Sequence, residues 1–125
     1  MAERKTTSTN FINQNYLETK CALNELIHLL SKRWLTEVLF SIEEGNARFS
    51  SIKEDLKYIS DHILADRLKI LEETHFIAKR INTEQRTEYV LTEYGTALSN
   101  ILDKLCHFAD EKEQMLTPKK ETASN

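Results

Sequence analysis

One stretch, Ser60–Glu72, constrains the fold more than any other because it carries both the start and the buried face of a helix. Ser60 is a favoured N-cap residue. Leu64, Leu68 and Leu71 recur at helical spacing and predict a single buried stripe. The opposite face is small, polar and charged. The segment therefore predicts either an ordinary surface helix or a helix that enters the major groove of DNA.

The composition favours one helix-rich domain that does not span a membrane. The 125 residues are 40% apolar and 30% charged, and the two glycines and single proline argue against a fold of many strands and turns. No apolar run could cross a bilayer, and the N-terminal ten residues lack the apolar core of a signal peptide. We expect a cytoplasmic protein with a domain at 13–113 and disordered tails at 1–12 and 114–125.

The charge balance does not by itself indicate nucleic-acid binding. The formal net charge is −3, and residues 32–90 hold ten Lys and Arg against eleven Asp and Glu. A DNA-binding surface therefore requires that the fold place basic groups together on one face. The four histidines and two cysteines show no metal-ligand spacing, and no nucleophile elbow or glycine-rich phosphate loop occurs. We expect no cofactor and no enzymatic activity.

Three shorter helices are predicted before Ser60–Glu72. Apolar residues follow a helical period over residues 20–30 and again from Trp34 to Ile42, and Ser51–Glu54 fits a capping box that starts the third helix. Trp34 is predicted to open its helix and to pack in the core. A brief connection after the third helix leads into Ser60–Glu72, which makes a helix-turn-helix.

The hydrophobic period changes after this helix. Residues 76–81 and 87–91 partly alternate and predict a β-hairpin, which its arginines would make a basic wing. Thr92 is an N-cap candidate for a last helix that continues to about Glu113, with a wide apolar stripe. The predicted fold class is mainly α with a small β-hairpin: a winged helix-turn-helix with extra N- and C-terminal dimerisation helices. Further core candidates are Phe49, Leu56, Tyr89 and Leu91.

Specific residues along this order resemble the HxlR-type bacterial transcription regulators, a group related to the MarR-like winged helices. Cys21 lies thirteen residues before Trp34, as in that family. The other matching segments are Arg48–Phe49 with Ile52, Ile59–Ser60, Leu64 with Arg67–Glu72, and Arg86–Thr92 with Gly95. The glycines usual before Trp34, the Pro-Gly usual before Ile59 and the Gly usual before the first wing strand are absent. These departures leave the loop geometry open.

The resemblance implies a homodimeric regulator that binds a pseudo-palindromic DNA operator. In the family the N- and C-terminal helices supply the dimer contact, and the apolar stripe of the last helix fits that arrangement. The resemblance also gives Cys21 the position of a cysteine that serves some members as a redox or electrophile sensor. Lys20 beside it would favour the reactive thiolate, whereas the alternative is a small residue packed at the start of a helix. Cys106, near the last stripe, is interpreted as structural.

Twelve residues are candidate DNA contacts, and each has the alternative of being a solvated surface residue. They are Ser60, His62, Ala65, Asp66, Arg67 and Lys69 on the recognition helix, Arg80 and Arg86 at the wing, and Lys32, Arg33, Lys53 and Lys57 on flanking elements. Asp61 and Asp66 repel phosphates, although a carboxylate can accept a hydrogen bond from a cytosine amino group. The rival function is a winged-helix module that binds proteins and not DNA.

Overall fold

The computed structural model of the chain describes residues 21–116 and confirms the predicted class, which is mainly helical with one antiparallel hairpin. Its elements are α1 (residues 21–30), α2 (Leu35–Glu43), α3 (Phe49–Leu56), α4 (Asp61–Glu73), β1 (Ile77–Ile81), β2 (Thr87–Leu91) and α5 (Glu93–Leu116). α5 runs three residues beyond its predicted end, so residues 114–116 are helical. The tail predicted at 1–12 and the domain start at residue 13 lie outside the described residues, and the outer boundaries stay predictions.

The chain divides into two compact units, with the boundary after Thr36. In the first unit, α1 closes through a bond from the Ser31 N–H to the Ile27 carbonyl (2.9 Å). Trp34 was wrongly predicted to open α2: its φ of 74° is left-handed, so it stands before that helix and is half-buried. The guanidinium of Arg33 lies 5.3 Å from the Trp34 ring centroid, a cation–π contact.

In the second unit, α2 ends where predicted and α3 begins earlier than predicted. Gly45 follows α2 with φ +113°, a conformation that glycine adopts without steric cost. The prediction that Ser51 caps α3 is wrong, because Ser51 is the third residue of that helix. Its Oγ accepts from the Arg48 N–H (3.1 Å) and donates to the Arg48 carbonyl (2.9 Å), which closes the first turn from within.

Helix α4 has the cap and the buried stripe that its sequence predicts. The Ser60 Oγ accepts from the Ile63 N–H at 3.1 Å, and Leu64, Leu68 and Leu71 are all buried. The core of this unit also contains Val38, Leu39, Ile42, Ile52, Ile59, Ile77, Leu98 and Leu102. One face of α4 is thus anchored in the core, and its other face is left to the surface.

The hairpin pairs Ile77 with Leu91 at its base and Ile81 with Thr87 next to the loop. It is tied to the α2–α3 connection by a bond from the Tyr89 N–H to the Ala47 carbonyl, at 2.7 Å. The predicted core residues Phe49, Leu56, Tyr89 and Leu91 are only half-buried. The reason is their position at the border of the core, where Phe49 and Tyr89 line an open groove.

Helix α5 starts at the predicted cap and leaves the core after its third turn. The Thr92 Oγ1 accepts from the Gly95 N–H (3.0 Å) and donates to the His75 carbonyl (2.6 Å), which joins the helix start to the start of the hairpin. Leu98 and Leu102 are buried, whereas Leu105 and Phe108 are more than half exposed. Among residues 21–116, no helix is apolar over a length that could cross a membrane.

Candidate DNA-binding surface

The surface side of α4 presents the small and polar residues that the sequence predicted for it. His62, Ala65 and Lys69 are exposed along the helix. Ser60 is exposed as well, but its oxygen already accepts the cap hydrogen bond. A helix with a buried stripe and an exposed row of small and polar residues has the shape that a major groove admits.

The two carboxylates of α4 that repel phosphate both have a cationic partner. Asp61 Oδ1 lies 3.3 Å from the Lys53 ammonium, which comes from α3. Asp66 pairs with the Arg67 guanidinium next to it on α4. The structure reduces that repulsion because each negative charge stands beside a positive one.

These pairings also make two candidate DNA contacts, Arg67 and Lys53, less available to bind DNA. The Arg67 side chain is only 15% exposed and faces Asp66, so it lies further from the exposed row than predicted. The Lys53 ammonium also donates to the Ile59 carbonyl, at 2.6 Å. Both cations interact with groups of the protein itself, whereas the sequence pattern predicted that both contact DNA.

The turn between α3 and α4 contributes an exposed residue that the sequence analysis missed. Lys57 follows α3 as its C-cap residue, with φ 60°, and is exposed. Tyr58 follows with 89% of its surface exposed, directly before the buried Ile59. A phenolic hydroxyl close to the start of α4 can donate a hydrogen bond to a phosphate oxygen of DNA. Its signal in the sequence was an aromatic residue beside Lys57 inside a short connection.

The two wing arginines differ in what surrounds them. The Arg80 Nε donates to the Glu88 Oε1 at 3.2 Å across the two strands, and the Asn82 amide donates to Oε2 of the same carboxylate. These bonds, that of Asn82 first and that of Arg80 next, hold the pKa of Glu88 below its ordinary value of 4.5. Glu88 is therefore ionised at neutral pH, and Arg80 is paired.

Arg86 lies at the other end of the hairpin loop and is exposed. The Asn82 Oδ1 accepts from the N–H groups of Glu84 (2.8 Å) and Arg86 (3.0 Å), which fixes the loop backbone in a compact turn. Between residues 37 and 116, the Arg86 guanidinium forms no ion pair, and neither do the ammonium groups of Lys57 and Lys69. In the sequence, Lys57 precedes α4, Lys69 lies on α4, and Arg86 follows α4 at the hairpin loop.

Comparison with known proteins gives this arrangement a family. The family model described as HxlR-like helix-turn-helix matches residues 29–116. The chain belongs to the HxlR-like helix-turn-helix family. YvaP of Bacillus subtilis, an uncharacterised helix-turn-helix transcriptional regulator, is 37% identical over 87 residues, which are 68% of this chain and 81% of YvaP.

A second relative has solved structures. The transcriptional regulator YodB of B. subtilis is 35% identical over 85 residues, which are 66% of this chain and 76% of YodB. The quinone-bound structure of YodB superimposes with a TM-score of 0.64 at 32% identity, covering 72% of this chain and 97% of that one. This HxlR-family chain is thus a DNA-binding regulator of transcription and not an enzyme.

In this HxlR-family chain, the remaining candidate residues lie in the N-terminal unit. Lys32 and Arg33 occupy the turn after α1 and are exposed, although Arg33 stacks on Trp34. Cys21 is an exposed free thiol in α1. Lys20, which was expected to favour its thiolate, lies outside the described residues. Across residues 21–116, no cluster of His, Cys, Asp and Glu has the makings of a metal site.

Cys106 differs from its sequence interpretation as a structural residue. It is an exposed free thiol on α5. Because successive helical residues turn by about 100°, Cys106 points well away from the row that contains Ile101, Leu105 and Phe108. Its side chain is therefore not packed within the apolar stripe of this helix.

Proposed function

We propose that this HxlR-family regulator binds duplex DNA as a homodimer, with α4 in the major groove and the β1–β2 hairpin on the backbone or in the adjacent minor groove. The observation that carries the proposal is the charge arrangement around α4. Asp61 and Asp66 each have a cationic partner, while Lys57, Lys69 and Arg86 form no ion pair within residues 37–116. A chain with a net charge of −3 thereby presents three cations that form no ion pair within residues 37–116: one on α4, one in the turn before α4 and one at the hairpin loop.

The proposed roles divide between backbone and base contacts. Lys57, Lys69 and Arg86 contact phosphates, which position the protein without reading sequence. His62, Ala65 and Asp66 face base edges, and the half-exposed Asp66 carboxylate accepts from a cytosine amino group. The other predicted contacts, which are Ser60, Arg67, Arg80, Lys32, Arg33 and Lys53, are secondary in this proposal, since several are already engaged within the protein.

The proposed dimer uses the apolar residues that α1 and α5 leave exposed. In α1, Leu23 and Ile27 are 46% and 53% exposed. In α5, Ile101, Leu105 and Phe108 are 54% to 63% exposed and recur at helical spacing. Exposed apolar rows of this kind mark protein–protein contacts. Two copies joined there would place two α4 helices on half-sites about one helical turn apart.

Salt dependence tests the phosphate contacts. Each contact releases counterions, so log K falls with log [salt] with a slope of about −0.9 per contact. Since a dimer carries each residue twice, Lys69→Ala and Arg86→Ala are each expected to make the slope shallower by about 1.8. Fluorescence anisotropy with the DNA upstream of the chain's own gene, at several salt concentrations, measures this slope.

The matched control is Lys104→Ala, which removes the same charge from an exposed position on α5. Its slope is expected to equal that of the wild-type protein. If the wild-type protein shows no salt-sensitive binding to any duplex, the DNA proposal fails, and a winged-helix protein-interaction module becomes the better account.

We propose further that Cys21 makes DNA binding responsive to oxidants or electrophiles. Its thiol is exposed, and the related YodB has structures in quinone-bound, diamide-treated and reduced forms. Diamide or a quinone is expected to release DNA from the wild-type protein and from Cys106→Ser, but not from Cys21→Ser. Fluorescence anisotropy measures the release of DNA. Equal release of DNA from all three proteins would eliminate Cys21 as the sensor.

A further inference from the structure

Lys53 bridges the two helices of the helix-turn-helix. It stands on α3, and its ammonium donates to the Ile59 carbonyl (2.6 Å) and pairs with the Asp61 carboxylate (3.3 Å). Ile59 belongs to the turn, and Asp61 is the first residue of α4. One side chain thus holds both the backbone that precedes the recognition helix and the first charge on it.

From this geometry we infer that Lys53 is a positioning residue for DNA recognition and not a phosphate contact. It fixes the start of α4 and neutralises Asp61. The inference rests on the proposed function, because positioning has a consequence only if α4 reads DNA. It goes beyond that proposal because it assigns Lys53 the role of holding the start of α4 in place, and not that of contacting DNA.

The backbone of the turn explains why such a bridge is useful. Lys57 adopts φ 60°, a left-handed conformation that costs free energy in a residue other than glycine. The Ser60 carbonyl that follows accepts from the Leu64 N–H within α4. The Ile59 carbonyl lies before the helix, and the Lys53 ammonium supplies it with a charge-assisted hydrogen bond. The bridge therefore stabilises a turn whose backbone is strained.

The second role of Lys53 concerns the charge at the start of α4. The Asp61 side chain is 76% exposed, so an incoming phosphate would meet its carboxylate at close range. With Lys53 beside it, the pair is neutral as a whole. Without Lys53, the carboxylate would repel the DNA backbone. The cost of losing Lys53 should then depend on whether Asp61 carries its charge.

A double-mutant cycle with Lys53→Met and Asp61→Asn tests this dependence. Lys53→Met is expected to weaken DNA binding about tenfold at fixed salt, and the double variant, which has lost both charges of the pair, is expected to have a salt slope within about 0.5 of the wild-type value. Asp61→Asn is expected to restore much of that affinity in the Lys53→Met background and to change the wild-type protein little. Anisotropy titrations of all four proteins at several salt concentrations give both quantities.

The neighbouring Lys57→Met is the matched control, because Lys57 is exposed and forms no ion pair within residues 37–116. It is expected to make the slope shallower by about 1.8. A loss of slope of that size in the double variant as well, with the same effect of Asp61→Asn in both backgrounds, would overturn the positioning role. If Lys53→Met does not fold, Lys53→Gln carries the same cycle. Failure of the proposed function is distinct, because the wild-type protein would then show no salt-sensitive binding.

Discussion

Gly95→Ala is expected to destabilise the fold by about 3 kcal/mol, the upper part of the usual range for an overpacked site. A Cβ at position 95 would lie 2.0 Å from the Phe76 carbonyl oxygen and 3.0 Å from the carbonyl carbon. These are backbone atoms, and the same carbonyl accepts from the Thr92 N–H at 3.1 Å. The clash can be relieved only by moving the start of α5 away from the hairpin.

The sign of this effect is informative, because alanine replacing glycine inside a helix ordinarily stabilises it by about 1 kcal/mol. Urea unfolding followed by circular dichroism measures the change. Thr96→Ala, at the next and exposed position of α5, is the control and is expected to change the free energy of unfolding by less than about 0.5 kcal/mol. A Gly95→Ala protein as stable as the wild-type protein would show that α5 and the hairpin are not packed as described.

Leu105→Glu and Phe108→Glu are each expected to convert the proposed dimer into a monomer and to weaken DNA binding at least 100-fold. Both side chains are exposed, at 54% and 63%, on the part of α5 that leaves the core. A carboxylate buried without a partner in an apolar interface costs several kcal/mol. Loss of the dimer also removes the gain in affinity that comes from linking two half-site contacts, a factor that can reach about 10²–10⁴.

Sedimentation equilibrium and an anisotropy titration measure the two effects on the same samples. Gln114→Glu adds the same charge to the opposite side of α5, where the residue is exposed, and is expected to leave both the mass and the affinity unchanged. A Leu105→Glu protein that remains a dimer would place the interface elsewhere. A monomer with undiminished affinity would remove the need for a dimer in DNA binding.

The sequence was sufficient for several features that depend on local interactions, although the cap predicted at Ser51 was wrong. The cap at Ser60 and the stripe of Leu64, Leu68 and Leu71 involve residues within a few positions of one another. Thr92 at the start of α5 and the five-residue strands of the hairpin are local in the same sense. Cap chemistry and hydrophobic period determine such features almost independently of the rest of the chain.

The sequence was insufficient where a side chain chooses among partners across a turn or between strands. Lys53 is six and eight residues from its partners, and Arg80 is eight residues from Glu88. The charge that is proposed to face DNA depends on these pairings, which a count of acidic and basic residues does not reveal.

Left-handed backbone occurs in this chain at residues other than glycine. Where the family resemblance leads one to expect a glycine before the first wing strand, His75 adopts φ 68°. Lys57, which stands at the position of the family's proline in the turn before Ile59, adopts φ 60°. Left-handed backbone at residues other than glycine costs on the order of 1–3 kcal/mol each. Surrounding bonds hold these conformations, as when the His75 carbonyl accepts from Thr92 at 2.6 Å. The left-handed backbone before the first wing strand is therefore formed without glycine.

The central claim, that two α4 helices read successive major grooves, is tested most directly by methylation interference with dimethyl sulfate. The reagent methylates guanine N7, which lies in the major groove, and adenine N3, which lies in the minor groove. We expect methylated guanines to block binding in two clusters about 10 base pairs apart, on one face of the duplex. Interference confined to adenine N3, or found in a single cluster, would contradict it.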